Sequence, residues 1–189
     1  VVAWTIEMKG YVIAHGVTDI WAQGTSDKAH EVACLNALQV RQQETIENPY
    51  CAPSGEIVPI DLTLVDSGYA LSQGAVYQFV RQNGGVRVKP YKGDGTAEKS
   101  RYTQPKASAQ CVPGDHWHQS LQPGGIWLVR ADCDYWRHRL HERWQIPIDK
   151  PGALVVFGET TELDARNRPL AIREHHAFSH HQVAKIWRE

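Results

Sequence analysis

The sequence contains no run of about 18 apolar residues and no charged N-terminal segment leading into an apolar stretch. These absences argue against a membrane-spanning helix and against a retained signal peptide. Cysteine is scarce, with four residues in 189 and no Cys-x-x-Cys pair, so neither a zinc knuckle nor a dithiol redox motif is indicated. Isolated thiols are typical of an intracellular protein, and no membrane partner is expected.

An excess of charge of either sign is also lacking, because 20 Lys and Arg oppose 21 Asp and Glu, for a net charge of −1. Neutrality argues against a free-standing, non-specific nucleic-acid binder, which is usually basic. The charge is nevertheless separated along the chain, with −6 over residues 1–66, +5 over 67–106 and zero over 107–189. A surface that grips a nucleic-acid backbone is therefore expected in the middle segment.

The length and the 42% hydrophobic residues predict one domain over residues 1–189. Because the chain starts at Val1 without Met, it is expected to be a processed product or a fragment of a longer protein. The patterns predict a β-hairpin over 1–22 and a helix that Thr25 or Ser26 caps and that ends near Asn48. A buried strand over 57–65, a helix before Gly84 and a strand over 86–91 follow.

The second half of the chain begins with a long polar segment, 92–125, which is predicted to be a functional or mobile loop. A strand over 126–131, a helix that contains Trp136, Leu140 and Trp144, a strand over 153–157 and a helix over 178–187 complete the prediction. Strands and helices in this mixed order predict an α/β fold, in which helices pack on the faces of one sheet.

Two aspartates each follow a predicted apolar strand. Asp66 precedes Ser67-Gly68, where the backbone can turn tightly, and Asp132 follows 126–131 and precedes Asp134. Ligand sites in open α/β sheets gather at the carboxyl ends of strands, and carboxylates suit Mg²⁺ or Mn²⁺. The alternative is that Asp66 only caps the next helix, and that Asp134 does the same for the helix after it.

Several sequence blocks together resemble the nuclease domain of phage terminase large subunits of the lambda gpA type. Their order and spacing match better than any one of them, and the Asp-Ser-Gly-Tyr block is the most specific. The blocks are Val65-Asp66-Ser67-Gly68-Tyr69, Val76-Tyr77-x-Phe79-Val80, Tyr91-Lys92-Gly93, Trp127-Leu128-Val129-x-x-Asp132 and Pro151-Gly152 before Val155-Val156-Phe157.

The resemblance implies a ribonuclease H-like fold and a metal-dependent endonuclease that cuts concatemeric double-stranded DNA during genome packaging in the host cytoplasm. It implies a two-metal site with Mg²⁺ or Mn²⁺, for which Asp66, Asp132 and Asp134 are the candidate ligands and the first two the candidate catalytic residues. Terminase partners would be an ATPase domain outside this chain, the small terminase subunit and the portal. Residues expected to hold DNA are Lys89, Lys92, Lys99 and Arg101.

The acidic set that the resemblance implies is incomplete in this sequence, because its first and last acids have no evident counterparts. Either the chain is a fragment that lacks both ends, or 1–9 is the central first strand and Glu7 replaces the usual Asp. The motif at Asp132 also departs from the pattern, since Cys133 stands where a Lys is usual. A ribonuclease H-like domain that binds DNA or a packaging partner without cutting is the alternative function.

Two further motifs are weaker indications of function. Gly93-x-x-x-x-Glu98-Lys99-Ser100 approaches a phosphate-binding loop, but a carboxylate at the second glycine position would repel phosphate, so nucleotide binding is not favoured. A histidine cluster raises the third possibility of a zinc-binding module, although a solvated helix face is the simpler interpretation. The cluster comprises His175, His176, His180 and His181.

Overall fold

The computed structural model describes residues 1–47, 50–51, 54–95 and 101–156. The chain divides into two compact units, Val1–Val17 with Leu140–Glu189, and Thr18–Arg139. The predicted helix over 178–187, the histidine cluster and the Glu98-Lys99-Ser100 motif lie outside the described residues. In the described part of the chain, no helix is long and apolar enough to cross a membrane.

The second unit is built on a five-stranded mixed sheet. In chain order its strands are β5 (Thr63–Asp66), β6 (Val88–Asp94), β7 (Cys111–Pro113), β8 (Trp117–Gln122) and β9 (Ile126–Asp132). Their spatial order is β5-β6-β9-β8-β7, in which β5, β6 and β9 are parallel while β8 and β7 are antiparallel additions. This helix-flanked mixed α/β sheet is compatible with a ribonuclease H-like fold, and the predicted fold class is confirmed.

Helix α2 (Ala70–Gln82) packs on this sheet and supplies most of its core. Three of its apolar side chains recur at positions that share one helix face, and they meet Val88 of β6 and Ile126 of β9 in one buried cluster. The three are Val76, Phe79 and Val80. Helix α1 (Asp27–Arg41) packs on α2, and it begins where the hydroxyl of Ser26 accepts a hydrogen bond from the Ala29 N–H, as predicted.

The prediction of a loop over 92–125 is wrong. Strand β6 continues to Asp94, and β7 and β8 form an antiparallel extension of the sheet. The β8 sequence, Trp-His-Gln-Ser-Leu-Gln, has little apolar alternation, so its extended state comes from pairing with β9 through a hairpin. Gly124 and Gly125 make that hairpin possible, because both adopt positive φ (85° and 79°).

The prediction of a buried strand over 57–65 is also wrong, both in the bounds of the strand and in its burial. The structure divides this segment into β4 (Ile57–Val58), which pairs with β3 (Tyr50–Cys51), and β5. Pro59 follows β4 directly, and a proline cannot donate a ladder hydrogen bond. Ile57 is 64% exposed and Leu64 of β5 is 46% exposed, so the apolar run does not form a strand that is covered on both faces.

The first unit contains a separate three-stranded sheet, in the order β1 (Val2–Trp4), β2 (Gly10–Val12) and β10 (Leu154–Val156). The predicted N-terminal hairpin is confirmed in kind, but its strands have three residues each. The interpretation of 1–9 as a central strand beside the one that ends in Asp66 is wrong, because β1 pairs with β2. Among the described residues, the one ladder partner of β5 is β6.

Gly93 allows the first residue of helix α3 (Cys133–Gln145) to lie close to β6. A side chain at this position is therefore expected to lower the stability of the fold. A methyl group at Gly93 would overlap the Cys133 Sγ and lie 3.3 Å from the Tyr91 hydroxyl. Gly93→Ala is therefore expected to lower the free energy of unfolding by about 1–3 kcal/mol, as overpacking does. Urea unfolding of Gly93→Ala, Cys133→Ala and the double variant measures this. We expect the double variant to regain stability relative to Gly93→Ala, and an undiminished loss would contradict an overlap with the Cys133 Sγ.

Candidate active site at the carboxyl edge of the parallel strands

Each of the three parallel strands ends in an aspartate. Asp66 ends β5, Asp94 ends β6 and Asp132 ends β9, so the three residues lie toward the same edge of the sheet. The register places Asp94 opposite Asp132, whereas Asp66 lies opposite Tyr91, three residues earlier on β6. Because side chains alternate along a strand, this odd offset puts Asp66 on the opposite face from Asp94 and Asp132.

The ladder therefore brings Asp94 and Asp132 together and keeps Asp66 apart from both. Three residues along a strand and two strand spacings across the sheet put the Cα atoms of Asp66 and Asp132 roughly 14 Å apart. The Asp66 Oδ1 accepts a hydrogen bond from the Gly68 N–H at 2.9 Å. Helix α2 begins after Tyr69 with no side-chain cap, so Asp66 does not cap it.

The surroundings of Asp66 connect it electrostatically with Tyr91. Burial is the main cause that raises the pKa of the Tyr91 phenol, and its contact with the Cys133 thiol at 3.4 Å raises it further. The negative charges of Asp66 and Asp94 add to this rise. The Tyr91 phenol is therefore expected to stay a neutral hydroxyl.

Asp94 is the residue of this edge that the sequence analysis missed. Its side chain is 2% exposed, and its two oxygens accept hydrogen bonds from the Arg130 guanidinium, Nε at 2.9 Å and Nη2 at 2.7 Å. Such a two-point contact neutralises a buried carboxylate. The sequence Gly93-Asp94-Gly95 is typical of a turn, which hid the strand end. Asp94 could have been recognised as a strand-end aspartate only if the strand predicted over 86–91 had been extended to it.

Asp132 has two tasks in the structure. Its Oδ1 accepts hydrogen bonds from the backbone N–H groups of Asp134 (3.2 Å) and Tyr135 (3.0 Å), so Asp132, and not Asp134, caps helix α3. Its Oδ2 lies 3.4 Å from the His116 Nδ1. The Tyr135 N–H is the main cause that lowers the pKa of the Asp132 carboxyl, and His116 and the Asp134 N–H contribute to the lowering.

This lowered pKa predicts a pH dependence of stability. A carboxyl whose pKa is lower in the folded state stabilises the fold above its unfolded pKa of about 3.9, and this contribution disappears as pH falls through the folded pKa. Asp132→Asn keeps a capping side chain but loses the charge. We expect wild type to be the more stable at pH 7 and the difference to close near pH 2, as measured by urea unfolding. A difference that is the same at both pH values contradicts the assignment.

Asp134, in the first turn of α3, has one occupied and one unoccupied carboxylate oxygen. Its Oδ1 accepts a hydrogen bond from the Arg137 Nη1 at 3.1 Å. Its Oδ2 is buried and has no hydrogen-bond partner among the described residues. A buried carboxylate oxygen without a hydrogen bond costs free energy, and such groups in native structures are explained by a catalytic role, an ion or an ordered water.

His116 has a strained and firmly held position beside Asp132. Its φ of 52° is uncommon for a residue other than glycine, and its carbonyl accepts hydrogen bonds from the Asp132 N–H (3.0 Å) and the Trp136 Nε1 (3.1 Å). Its ring stacks on Tyr135 with centroids 3.6 Å apart and planes at 4°. His116 also lines an open pocket of about 430 Å³ with Tyr102, Gln104, Gly114, Asp115 and Asp132.

The family model of the terminase large subunit gpA endonuclease domain matches residues 1–164. The chain belongs to this family. No curated protein and no solved structure matches it. The suspected resemblance is confirmed, and the protein is an endonuclease domain of a phage terminase large subunit, an enzyme of viral DNA packaging. The family implies a DNA substrate and further terminase components as partners.

Two of the basic residues that were expected to hold DNA do not share a surface of this terminase domain. Lys89 and Lys92 lie three residues apart on β6 and therefore on opposite faces, and the Lys89 amine donates a hydrogen bond to Gln119 at 3.0 Å. Arg101 is exposed, and Lys99 lies outside the described residues. Lys92 is opposite Arg130 in the ladder, on the face that carries Asp94 and Asp132.

Nuclease domains of this type usually use divalent metals, and the residues at the carboxyl edge test whether a two-metal cluster fits. In the described ranges, no three His, Cys, Asp or Glu side chains converge so that they could hold a metal ion. Arg130 occupies both oxygens of Asp94, and α3 occupies one oxygen of Asp132. A complete two-metal cluster therefore does not fit the described residues, although the Oδ2 of Asp134 has no hydrogen-bond partner among them.

Proposed function

We propose that this terminase endonuclease domain cuts concatemeric double-stranded DNA during genome packaging in the host cytoplasm, and that cutting requires Mg²⁺ or Mn²⁺. The acidic residues of the proposal are Asp66, Asp132 and Asp134. The observation that carries it is the buried Oδ2 of Asp134, a carboxylate oxygen without a partner in the described structure, at the carboxyl edge of the parallel strands. Oxygen is the ligand that both cations prefer.

The cation is proposed as a requirement of the reaction. What the chain itself supplies is a carboxyl edge whose geometry is held in place. Arg130 fixes Asp94, and the first turn of α3 fixes Asp132. Carboxylates held in this way need little rearrangement when a cation or DNA binds.

DNA binding is proposed for Lys89, Lys92, Lys99 and Arg101, which neutralise phosphates without reading sequence. Since Lys89 and Lys92 lie on opposite faces of the sheet, Lys92 is the one next to the Asp94–Asp132 edge. The motor ATPase, the small terminase subunit and the portal are proposed as the partners that deliver DNA to this domain. A neutral net charge suits a cutting domain that other components bring to DNA.

A second candidate function is DNA or partner binding without cleavage. It is favoured by the engagement of Asp94 with Arg130, which removes one of the three strand-end carboxylates from chemistry. On this alternative the carboxyl edge would be a structural feature, and cation addition would change nothing.

Supercoiled plasmid cleavage separates the two functions. The proposal expects nicked and linear products with Mn²⁺ or Mg²⁺ and none when EDTA is present. A gel-shift assay with the same DNA in EDTA reports binding. Binding without cation-dependent cleavage would establish the non-catalytic alternative, and cleavage that persists in EDTA would remove the cation from the proposal.

A further inference from the structure

The pocket beside His116 has a lining that does not suit phosphate. It is formed by Tyr102, Gln104, Gly114, Asp115, His116 and Asp132, and none of these six residues is Lys or Arg. Two carboxylates in the lining would repel a phosphate group. Its volume of about 430 Å³ is nevertheless in the range of small-ligand sites, roughly 300–1,000 Å³.

The wall of this pocket is rigid before any ligand binds. The Tyr102 hydroxyl donates to the Gln104 Oε1 at 2.7 Å, and the Gln104 Nε2 donates to the Gly114 carbonyl at 2.8 Å. Tyr135 stacks on one face of the His116 ring, and its hydroxyl donates to the Asp115 Oδ2 at 3.3 Å. Side chains fixed in this way lose little conformational entropy when a ligand binds.

His116 presents an aromatic surface to the pocket. The ring is stacked on Tyr135 on one face and contacts Asp132 through Nδ1, yet the side chain remains 45% exposed. Because Tyr135 covers one face of the ring, stacking of a planar ligand would use the opposite face. Stacking of a nucleobase on an aromatic side chain contributes about 1–3 kcal/mol.

We infer that this pocket accepts one unpaired nucleobase of the DNA substrate, stacked on His116, and favours a base that carries an amino group. The inference rests on the DNA substrate of the proposed function. Asp115 supports the preference for an amino group, because carboxylate oxygens accept from the cytosine amino group, whereas thymine presents only a carbonyl there. The strained backbone of His116 is consistent with a ligand site, since such strain concentrates at functional positions.

The test compares binding of fluorescein-labelled duplexes that are fully paired, or that contain one unpaired cytosine or one unpaired thymine. Anisotropy is measured in EDTA, so that cleavage does not interfere. We expect wild type to bind the unpaired-cytosine duplex about 10-fold more tightly than the paired duplex, in line with one stacked base. The unpaired-thymine duplex is expected to bind more weakly than the cytosine duplex.

Two variants assign the effect to the pocket. His116→Asn removes the ring while tolerating positive φ, and it is expected to abolish the preference for an unpaired base. Asp115→Asn is expected to abolish the preference for cytosine over thymine, since an amide can both donate and accept. Asp61→Asn, at an exposed site, is the matched control and should behave as wild type.

Equal binding of the three duplexes by wild type overturns the inference, as does a preference that survives in both pocket variants. If the protein cleaves plasmid but shows no preference for an unpaired base, the inference about the pocket alone is wrong. A chain that shows the preference but never cleaves contradicts the proposed cleavage alone.

Discussion

Replacing Arg130 by Met is expected to lower the free energy of unfolding by about 3 kcal/mol, at the low end of what breaking a buried ion pair costs. The substitution leaves the carboxylate of Asp94 buried, at 2% exposure, without the guanidinium that now binds both its oxygens. Methionine keeps most of the length of the arginine stem, so the loss reports the charge contact more than packing. Urea denaturation at pH 7 gives the value.

The two partners of this ion pair are expected to differ in how much free energy of unfolding is lost when each is replaced. Asp94→Asn is expected to cost less than Arg130→Met, because the Arg130 side chain is 39% exposed and water can solvate it. The double variant should be more stable than Arg130→Met alone, since no unpaired charge remains. Equal losses in both single variants, or a double variant as unstable as the sum of the two, would contradict a buried, neutralised Asp94.

Asp134→Asn is expected to reduce the rate of plasmid cleavage by roughly 100-fold, which corresponds to about 2.7 kcal/mol of activation free energy, because the proposed cation would lose one of its carboxylate ligands. Its unfolding free energy is expected to change by less than about 1 kcal/mol, because the Asp134–Arg137 pair is partly exposed and such pairs contribute little. A carboxylate retained for function and not for stability should show this combination.

Asp149→Asn is the matched control for Asp134→Asn. It removes the same charge from an ion pair with Lys150, in which the Asp149 side chain is 67% exposed. The control should cleave as wild type does. Unchanged cleavage by Asp134→Asn would remove this residue from the site, and a large loss of stability would show that Oδ2 has a structural role.

The elements that the sequence predicted well are those that carry their own local signal. Helix α2 has Val76, Phe79 and Val80 on one face, and Ser26 caps α1 with its own hydroxyl. Strand β9 is a short apolar run with buried Leu128 and Val129. Such patterns need no knowledge of distant residues.

The elements that were missed depend on partners far along the chain. Strand β8 is polar and is extended because β9 pairs with it, and β6 reaches Asp94 because β9 continues beside it. The separation of Asp66 from Asp132 follows from a ladder register, which no local pattern contains. The contact between His116 and Asp132 likewise joins residues that the hairpin brings together.

The family membership was predicted from motif order and the mixed α/β class from the order of helices and strands, and neither depends on exact strand bounds. The roles of single residues were not predictable to the same degree. Asp132 serves as the cap of α3, a task that the sequence analysis gave to Asp134. Capping depends on which residue starts the helix, and helix boundaries are the least certain part of a sequence pattern.

The proposed cleavage function includes Asp66 although the strand register sets it apart from Asp132, so the initial rate of plasmid cleavage in Mn²⁺ by Asp66→Ala is the strictest test of the proposed acidic set. Asp61→Ala, prepared in parallel, controls for loss of an exposed aspartate close by in the sequence. We expect roughly a 100-fold lower rate for Asp66→Ala and a wild-type rate for Asp61→Ala if the proposed set is right. Equal cleavage by wild type, Asp66→Ala and Asp61→Ala would contradict it.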